Sequence, residues 1–103
     1  MLVRKDMSLG QIAAQLVHAA GETATPLPVT GTHAVVLSLK NEEQLFLVAE
    51  KLSSRRIPYK VIYEPDSPFN GEATAIGLYP TKDRKQIRRA LSRLSLLTSK
   101  EDV

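Results

Sequence analysis

The alternation of apolar and polar positions divides the chain into seven segments with the periodicity of strands or helices. Short, nearly continuous apolar runs predict four β-strands, and apolar residues spaced three and four apart predict three helices. The order is strand, helix, strand, helix, strand, strand, helix. Strands separated by a helix are typically parallel, whereas two strands joined directly by a loop can be antiparallel. The pattern therefore predicts a three-layer α/β domain with a mixed four-stranded sheet flanked by helices on both faces.

The chain opens with a short apolar segment, Leu2–Arg4, which predicts the first strand. The first helix is predicted from Leu9 to Ala20. Ser8 and Gln11 before it have the spacing of a capping box, and Gly21 after it is a typical helix stop.

The second strand is predicted at 33–39, where the residues are nearly all apolar or β-branched. Such continuity is typical of a central strand covered on both faces. The preceding segment, 22–32, is rich in Thr, Pro and Gly and predicts a loop. Asn41 and Gln44 predict a second capping box, and the helix after it is expected to end at Ser53-Ser54. The buried stripe of this helix is predicted to be Leu45, Val48, Ala49 and Leu52.

The remaining elements are two strands and a helix. Strands are predicted at Tyr59–Tyr63 and 73–79, joined by a polar loop, Glu64–Glu72. The last helix is predicted to start at Pro80-Thr81, and the end of the chain, 99–103, is expected to fray. The core-facing stripe of this helix is predicted to be Ile87, Ala90, Leu91 and Leu94.

The first predicted helix carries uncharged polar residues where a helix facing water usually carries Lys and Glu. Gln11, Gln15 and His18 follow the i, i+4, i+7 spacing and are predicted to share one narrow face. We expect this face to look onto a cleft or a partner. An ordinary solvated face is the alternative. The apolar residues expected on the opposite side are Ile12, Ala13, Leu16, Val17, Ala19 and Ala20.

Length and composition indicate a soluble globular protein. The 103 residues, 43% of them hydrophobic and 24% charged, predict a single domain over 1–103. The chain has no cysteine, which excludes disulfides and thiolate sites. Its apolar runs are too short to span a membrane, and its start does not have the pattern of a signal peptide. We therefore expect a cytoplasmic location.

The charges are distributed unevenly along the chain. Residues 1–50 carry a net charge of −2, and residues 51–103 carry +5. Two basic helical surfaces in one half suggest a polyanionic partner such as nucleic acid. The alternative is that long basic side chains only solubilise the helices. The residues expected to contact RNA are Lys51, Arg55, Arg56, Lys60, Arg84, Lys85, Arg88 and Arg89.

Three residues are candidates for chemistry near the ends of predicted elements. His18 has a side chain that titrates near neutral pH and could accept a proton. Glu64 follows the third strand, and Thr74 offers a hydroxyl near the start of the fourth. Each also has an ordinary interpretation, as a surface histidine, a loop carboxylate or a strand threonine. The sequence shows no glycine-rich phosphate loop, metal-ligand spacing or nucleophile elbow.

Three blocks of the sequence resemble the type-2 peptidyl-tRNA hydrolase family. The opening segment with the first helix, 2–20, is similar to the family's start, which includes Gly-Lys-x-Ala-Ala-Gln-x-x-His-Ala. Val61–Glu64 resembles the strand that ends in the family's Asp. Gly71–Pro80 resembles its Gly-x-x-Thr-x-x-Gly-x-x-Pro strand. The order and spacing of the blocks agree over nearly the whole chain.

The resemblance implies a mixed four-stranded sheet in a protein that is often a homodimer. It also implies cleavage of the ester that joins a peptide to the 3′ end of tRNA, without a metal or other cofactor. It places His18, Glu64 and Thr74 at catalytic positions, and we expect Gln11, Gln15 and Asp66 to bind the substrate. Two departures stand out. Gln11 replaces the family's Lys, and the loop after Glu64 is shorter, so that Asp66 could replace Glu64 as the working carboxylate. A module that binds RNA without hydrolysing it is the alternative function.

Overall fold

The structure, a computed structural model, describes residues 1–25 and 33–98. It confirms the predicted α/β class, the mixed four-stranded sheet and the order of the elements. The elements are β1 (Leu2–Arg4), α1 (Leu9–Glu22), β2 (Leu37–Leu39), α2 (Glu42–Ser54), β3 (Tyr59–Glu64), β4 (Glu72–Leu78) and α3 (Arg84–Leu91).

The strands lie in the order β2-β1-β4-β3. The β1 and β2 strands are parallel, whereas β4 is antiparallel to both β1 and β3. The prediction of a central strand at 33–39 is therefore wrong, because β2 is three residues long and lies at an edge. The outer edge of β2, with the residue before it, is hydrogen-bonded to a later segment, with an antiparallel bridge between Leu37 and Leu96. Leu97 donates its backbone N–H to Val36 O at 3.0 Å, and Ser38 donates its own to Ser95 O at 2.9 Å.

Each face of the sheet has its own hydrophobic core. On one face α1 packs on β1, β3 and β4, and on the other α2 and α3 cover the sheet. The buried residues on the α1 face are Val3, Ile12, Ala19, Ile62 and Ala75. Those on the α2/α3 face include Leu2, Leu39, Leu45, Leu52, Ile76 and Leu91.

Most helix starts follow the predicted capping chemistry. Ser8 and Gln11 form the predicted capping box of α1. Asn41 caps α2 by accepting from the N–H of Gln44, as predicted. The side-chain oxygen of Gln44, however, accepts from the backbone N–H of Lys40 at 2.6 Å rather than from that of Asn41, so the predicted second capping box is incomplete.

Two predicted helix limits are wrong. The α1 helix continues through Gly21 to Glu22, and Thr23 ends it by donating both its N–H and its hydroxyl to Ala19 O. The α3 helix starts at Arg84, because Asp83 is the residue whose side chain caps it. Residues 26–32 of the predicted loop and the predicted frayed end, 99–103, lie outside the described residues. Within the described ranges, no helix has the length and apolar character needed to cross a membrane.

Candidate active site

The sheet-facing side of α1 carries one polar residue among apolar ones. Ile12, Gln15 and Ala19 are its buried positions, and Gln15 is only 3% exposed. The predicted division of this helix into a Gln/His face and an opposite apolar face is therefore wrong. His18 is exposed, and so are Ala13, Val17 and Ala20. An amide is buried at low cost only where its donor and acceptor are both satisfied.

A β-bulge directs Thr74 toward α1. Ile62 pairs with Ala75 and Tyr63 pairs with Ala73, so Thr74 is the extra residue of β4. Regular alternation would place Thr74 on the face of Ile76, which packs against α2 and α3. The bulge shifts the alternation of side chains by one residue, so the Thr74 side chain lies on the α1 face instead. Bulges often re-aim a side chain in this way beside active sites.

Gln15 joins Thr74 to Glu64 by two hydrogen bonds. The Thr74 hydroxyl donates to Gln15 Oε1 at 2.8 Å, and Gln15 Nε2 donates to Glu64 Oε2 at 2.9 Å. The ionised carboxylate only accepts hydrogen bonds, so the amide nitrogen must face Glu64 and the amide oxygen must face Thr74. Thr74 is fully buried and Glu64 is half-buried. The hydrogen bonds therefore connect the protein interior to a carboxylate at the surface.

Glu64 is held in its charged form by three neighbours. The hydrogen bond from Gln15, the backbone N–H of Asp66 and the charge of His18, in that order, lower the pKa of Glu64, while partial burial opposes them. The Asp66 N–H donates to Glu64 Oε1 at 3.1 Å, so both carboxylate oxygens have a donor. Glu64 is therefore ionised at neutral pH.

The remaining candidates make no side-chain hydrogen bond to this carboxylate in the described ranges. The His18 side chain makes no hydrogen bond to any residue of the described ranges, and electrostatic attraction alone couples it to Glu64. Asp66 is exposed, and its carboxylate makes no hydrogen bond or ion pair with the residues that the structure describes. Gln11 is half-buried, and its carbonyl is occupied by the N–H of Ser8.

Arg4 supports the loop after Glu64, and the sequence analysis missed it. Its guanidinium binds Asp6 through two hydrogen bonds of 2.9 Å, Glu72 through one of 2.7 Å and Ala73 O through one of 3.0 Å. The Phe69 ring lies 5.7 Å from Arg4 Cζ. The bond to Asp6 is the largest of the causes that raise the already high pKa of Arg4. The available signal was an Arg at the end of an otherwise apolar strand, two residues before an Asp.

These contacts close the base of the 65–71 loop. Glu72 pairs with Glu64 across β3 and β4, and Gly71 donates its N–H to Glu64 O at 2.8 Å. Gly71 has a φ of +96°, a conformation that glycine adopts without strain. The position of Glu64 therefore depends both on its hydrogen bond with Gln15 and on the loop that Arg4 holds.

The predicted RNA contacts lie apart from this carboxylate. Seven of the eight are on or directly after α2 or on α3, which cover the opposite face of the sheet, and Lys60 is on β3. Arg55, Lys85, Arg88 and Arg89 line one hollow together with Ser92. The ion pairs found in the described ranges, Arg4–Asp6 and Arg4–Glu72, involve none of these eight residues.

The arrangement offers acid–base and hydrogen-bonding groups. It offers an ionised carboxylate, held by a buried amide and a buried hydroxyl, and an exposed imidazole that is electrostatically coupled to the carboxylate. Carboxylates and imidazoles are groups used in acid–base catalysis of hydrolysis. Across the described residues, no three His, Cys, Asp or Glu side chains are grouped so that they could hold a metal ion.

One comparison with known proteins identifies a family for this chain. The model of the family described as peptidyl-tRNA hydrolase PTH2 matches residues 1–97. A search of the curated proteins found no match. The family match covers both α1, with His18 and Gln15, and the β3–β4 pair, with Glu64 and Thr74. The chain therefore belongs to the PTH2 family of peptidyl-tRNA hydrolases, which are carboxylic ester hydrolases.

Proposed function

We propose that this protein hydrolyses the ester bond between a peptide, or an N-blocked amino acid, and the 3′ end of tRNA. The observation that carries the proposal is the hydrogen-bonded series Thr74, Gln15, Glu64. It joins three distant parts of the chain and presents an ionised carboxylate beside an exposed imidazole. Two buried polar side chains are thus used to hold one carboxylate at the surface.

We assign proton transfer to His18. The imidazole takes a proton from a water molecule whose oxygen attacks the ester carbonyl carbon, forming a tetrahedral intermediate. When the intermediate collapses, the bond to the 3′ oxygen breaks and that oxygen takes the proton from His18. The products are the peptide acid and a tRNA with a free 3′ hydroxyl. Glu64 stays ionised and stabilises the positive charge that His18 carries between the two transfers.

Gln15 and Thr74 act by holding Glu64. Thr74 is fully buried and donates its proton to Gln15, so it has no access to a substrate and is a positioning residue. Gln11 and Asp66 are assigned to substrate binding. With its carbonyl occupied by Ser8, Gln11 offers only its N–H groups, which suit a carbonyl or a phosphate. The basic side chains of α2 and α3 bind the RNA phosphates.

The test is release of N-acetyl-aminoacyl groups from tRNA by the purified protein and by matched variants. We expect His18→Ala and Glu64→Gln each to lower kcat/KM at least about tenfold. The controls are His33→Ala and Glu43→Gln, exposed residues of the same types outside the site, which we expect to leave kcat/KM unchanged. Absence of release by the unaltered protein, beside an active hydrolase, contradicts the proposal.

The second candidate is a module that binds tRNA without hydrolysing it. Two observations favour it. The neutral Gln11 caps α1 at the position of the family's lysine, and the basic hollow does not depend on the carboxylate site. This function predicts that RNA binding survives both His18→Ala and Glu64→Gln while the unaltered protein releases no peptide. Filter binding to tRNA at several salt concentrations, run beside the release assay, separates the two functions.

A further inference from the structure

The two edges of the sheet have different surroundings. Beside β2, the segment 95–97 is hydrogen-bonded to residues 36–38 and covers that edge. Beside β3, the part of the chain that the structure describes contributes one neighbouring strand, β4, on one side and none on the other. The six residues of β3 therefore form an open edge. Such an edge offers a row of backbone donors and acceptors to another extended chain.

The open edge presents the backbone groups of alternate β3 residues. Glu64 O accepts from Gly71 N–H at 2.8 Å, in the turn before β4, and Ile62 O lies on the same side, 3.4 Å from a β4 hydroxyl. Successive residues of a strand direct their N–H and C=O groups to opposite sides. The backbone groups of Val61 and Tyr63 therefore point away from β4. In the described ranges, no segment other than β4 bonds to the backbone of these two residues.

The sequence of β3 does little to protect this edge. Natural edge strands are often protected by a proline, a bulge or a charge. Pro58 and Pro65 lie outside β3, and the extra residue of the bulge, Thr74, belongs to β4. The one cation of β3 is Lys60. On a chain with a net charge of +3, it disfavours pairing with a second copy but not with an uncharged or acidic peptide.

The open edge leads to the candidate active site. Glu64 is the last residue of β3, and Gln15 holds its carboxylate on the face of the sheet that α1 covers. A strand paired with β3 lies about 4.8 Å from it. An extended chain on the open edge therefore passes within side-chain reach of the Glu64 carboxylate at the end of β3.

We infer that the peptide carried by the tRNA binds to the open edge of β3 as an added strand, parallel to β3. The inference rests on the proposed function, which requires the C-terminal ester carbonyl of the peptide to lie at Glu64. Because Glu64 ends β3, a peptide that follows the edge and has its C-terminus there must run in the direction of β3. Hydrogen bonds between main chains give affinity without dependence on peptide side chains. The preferred substrates are thus peptides of several residues, with little selectivity for their sequence.

The length of the peptide tests its contact with β3. The substrates carry one tRNA and one C-terminal residue, with N-acetylated peptides of one to eight residues. We expect kcat/KM to rise at least about tenfold with length, because several main-chain hydrogen bonds each add a modest factor. The rise should end at about six residues, the length of β3. Turnover that is independent of length overturns the inference and leaves the proposed function standing.

Backbone N-methylation distinguishes main-chain pairing from side-chain contacts. In a paired strand, only alternate residues of the peptide direct their N–H groups toward β3. Hexapeptidyl substrates that are methylated at one residue at a time should therefore show kcat/KM values at least about threefold lower at alternate positions than at the positions between them. A loss that is equal at all positions, or absent at all of them, overturns the pairing.

Hydrogen exchange tests the contact without turnover. The probe is an N-acetyl-hexapeptide joined to 3′-amino-3′-deoxyadenosine through an amide, which resists hydrolysis. We expect the probe to slow exchange of the Val61 and Tyr63 N–H groups, while the Lys60 N–H, which faces β4, is the internal control. Unchanged exchange at both outward groups overturns the inference. Protection without the probe that rises with protein concentration assigns the edge to a second copy and also overturns it.

A proline at position 63 removes one outward N–H. Tyr63→Pro is expected to lower the ratio of kcat/KM for hexapeptidyl-tRNA to that for N-acetyl-aminoacyl-tRNA at least about threefold. The control, Leu96→Pro, places a proline in the segment beside β2 at the opposite edge and should leave this ratio unchanged. An equal fall of the ratio in both variants overturns the inference. If the unaltered protein hydrolyses neither substrate, the proposed function fails, while hydrogen exchange with the probe still decides whether a peptide binds to β3.

Discussion

The amide of Gln15 donates to the carboxylate of Glu64 across 2.9 Å, while its carbonyl accepts from a hydroxyl that water does not reach. A single side chain of α1 thus contributes to both the position and the charge state of the residue at the end of β3. The Gln15 bond is the largest of the causes that lower the pKa of Glu64, so its removal should raise that pKa.

Gln15→Met keeps the length of the side chain and removes both hydrogen bonds. We expect the pKa of Glu64 to rise toward the usual glutamate value, because its strongest donor is lost. A ¹³C NMR titration of the glutamate side-chain carboxyls measures this change. Gln86→Met, which removes an amide that bonds to Arg55 O instead, is the control and should leave the titration of Glu64 unchanged. An unaltered Glu64 titration in Gln15→Met contradicts the role assigned to Gln15.

The same variant has a pH-dependent effect on stability. The pKa of Glu64 is lower in the folded state than in the unfolded state, so its contribution is full above about pH 4.3 and is lost as the pH falls through the folded pKa. Gln15 Oε1 is the nearer of two acceptors of the buried Thr74 hydroxyl, the other being Ile62 O at 3.4 Å, so its removal lowers the unfolding free energy by a further amount of about 1 kcal/mol at all pH values. Urea unfolding should therefore show a larger deficit for Gln15→Met at pH 7 than at pH 2.

The parts of the fold that depend on local interactions could be predicted from the sequence. The buried stripe of α2 follows from the spacing of Leu45, Ala49 and Leu52, and the start of α1 follows from Ser8 and Gln11. These features involve residues three or four apart, whose neighbours a helix dictates. The β-α-β-α-β-β-α order followed from the same local signals.

The arrangement of the site could be predicted only in part, because it depends on distant pairings. Period-two alternation along β4 gives the wrong face for Thr74, since the bulge arises from its pairing with β3. Gln15 is buried because partners 49 and 59 positions away satisfy its amide, which helical periodicity does not reveal. The partner that Arg4 finds in Glu72, 68 positions away, gave no local signal either.

Arg4→Gln removes the brace between β1 and the loop that follows Glu64. The side chains of Asp6 and Glu72 are 38% and 44% exposed, so water screens their interactions with Arg4. We therefore expect the substitution to lower the unfolding free energy by about 2 kcal/mol. For a domain of this size that corresponds to a fall in Tm of about 8–10 °C. Differential scanning calorimetry measures the fall, with the exposed Arg93→Gln as the control.

Hydrogen exchange separates this local role from a general loss of stability. The Gly71 N–H bonds to Glu64 O at 2.8 Å at the base of the loop. We expect its protection in Arg4→Gln to fall more than that of the Ile57 N–H, which lies at the other end of the sheet and bonds to Leu52 O. Equal loss of protection at both amides would mean that Arg4 supports the fold generally and not the loop.

Gly77→Ala tests how closely α1 must approach β4. A Cβ at Gly77 would lie 2.6 Å from Thr23 Cγ2 and 2.9 Å from Ala19 O. The carbonyl belongs to the helix backbone and has no rotamer to change, so α1 must shift. We expect a loss of about 1–3 kcal/mol in unfolding free energy, and lower activity because Gln15 moves with the helix. Chemical denaturation and the release assay measure the two effects.

A second substitution identifies the atoms responsible for that clash. Thr23→Ala removes Cγ2 and Oγ1 but leaves Ala19 O, so it should relieve the strain of Gly77→Ala only partly. In a double-mutant cycle, the double variant is expected to be more stable than the sum of the two single effects predicts. Strict additivity would show that Thr23 makes no clash with residue 77 and would contradict the packing described here.

Arg56→Gly should increase stability and weaken RNA binding. Arg56 follows α2 with a φ of +58°, in the left-handed region, where a non-glycine residue costs about 1–2 kcal/mol. Glycine removes this cost but gives the unfolded chain more conformational entropy, which reduces the gain in stability by about 0.4–1 kcal/mol. The net gain expected in urea unfolding is therefore about 0.5–1 kcal/mol. Loss of one phosphate contact should lower the slope of log K against log salt by about 0.9. Arg56→Lys keeps both the strain and the charge, so neither quantity should change. A glycine variant that gains stability without losing salt dependence would remove Arg56 from the RNA surface.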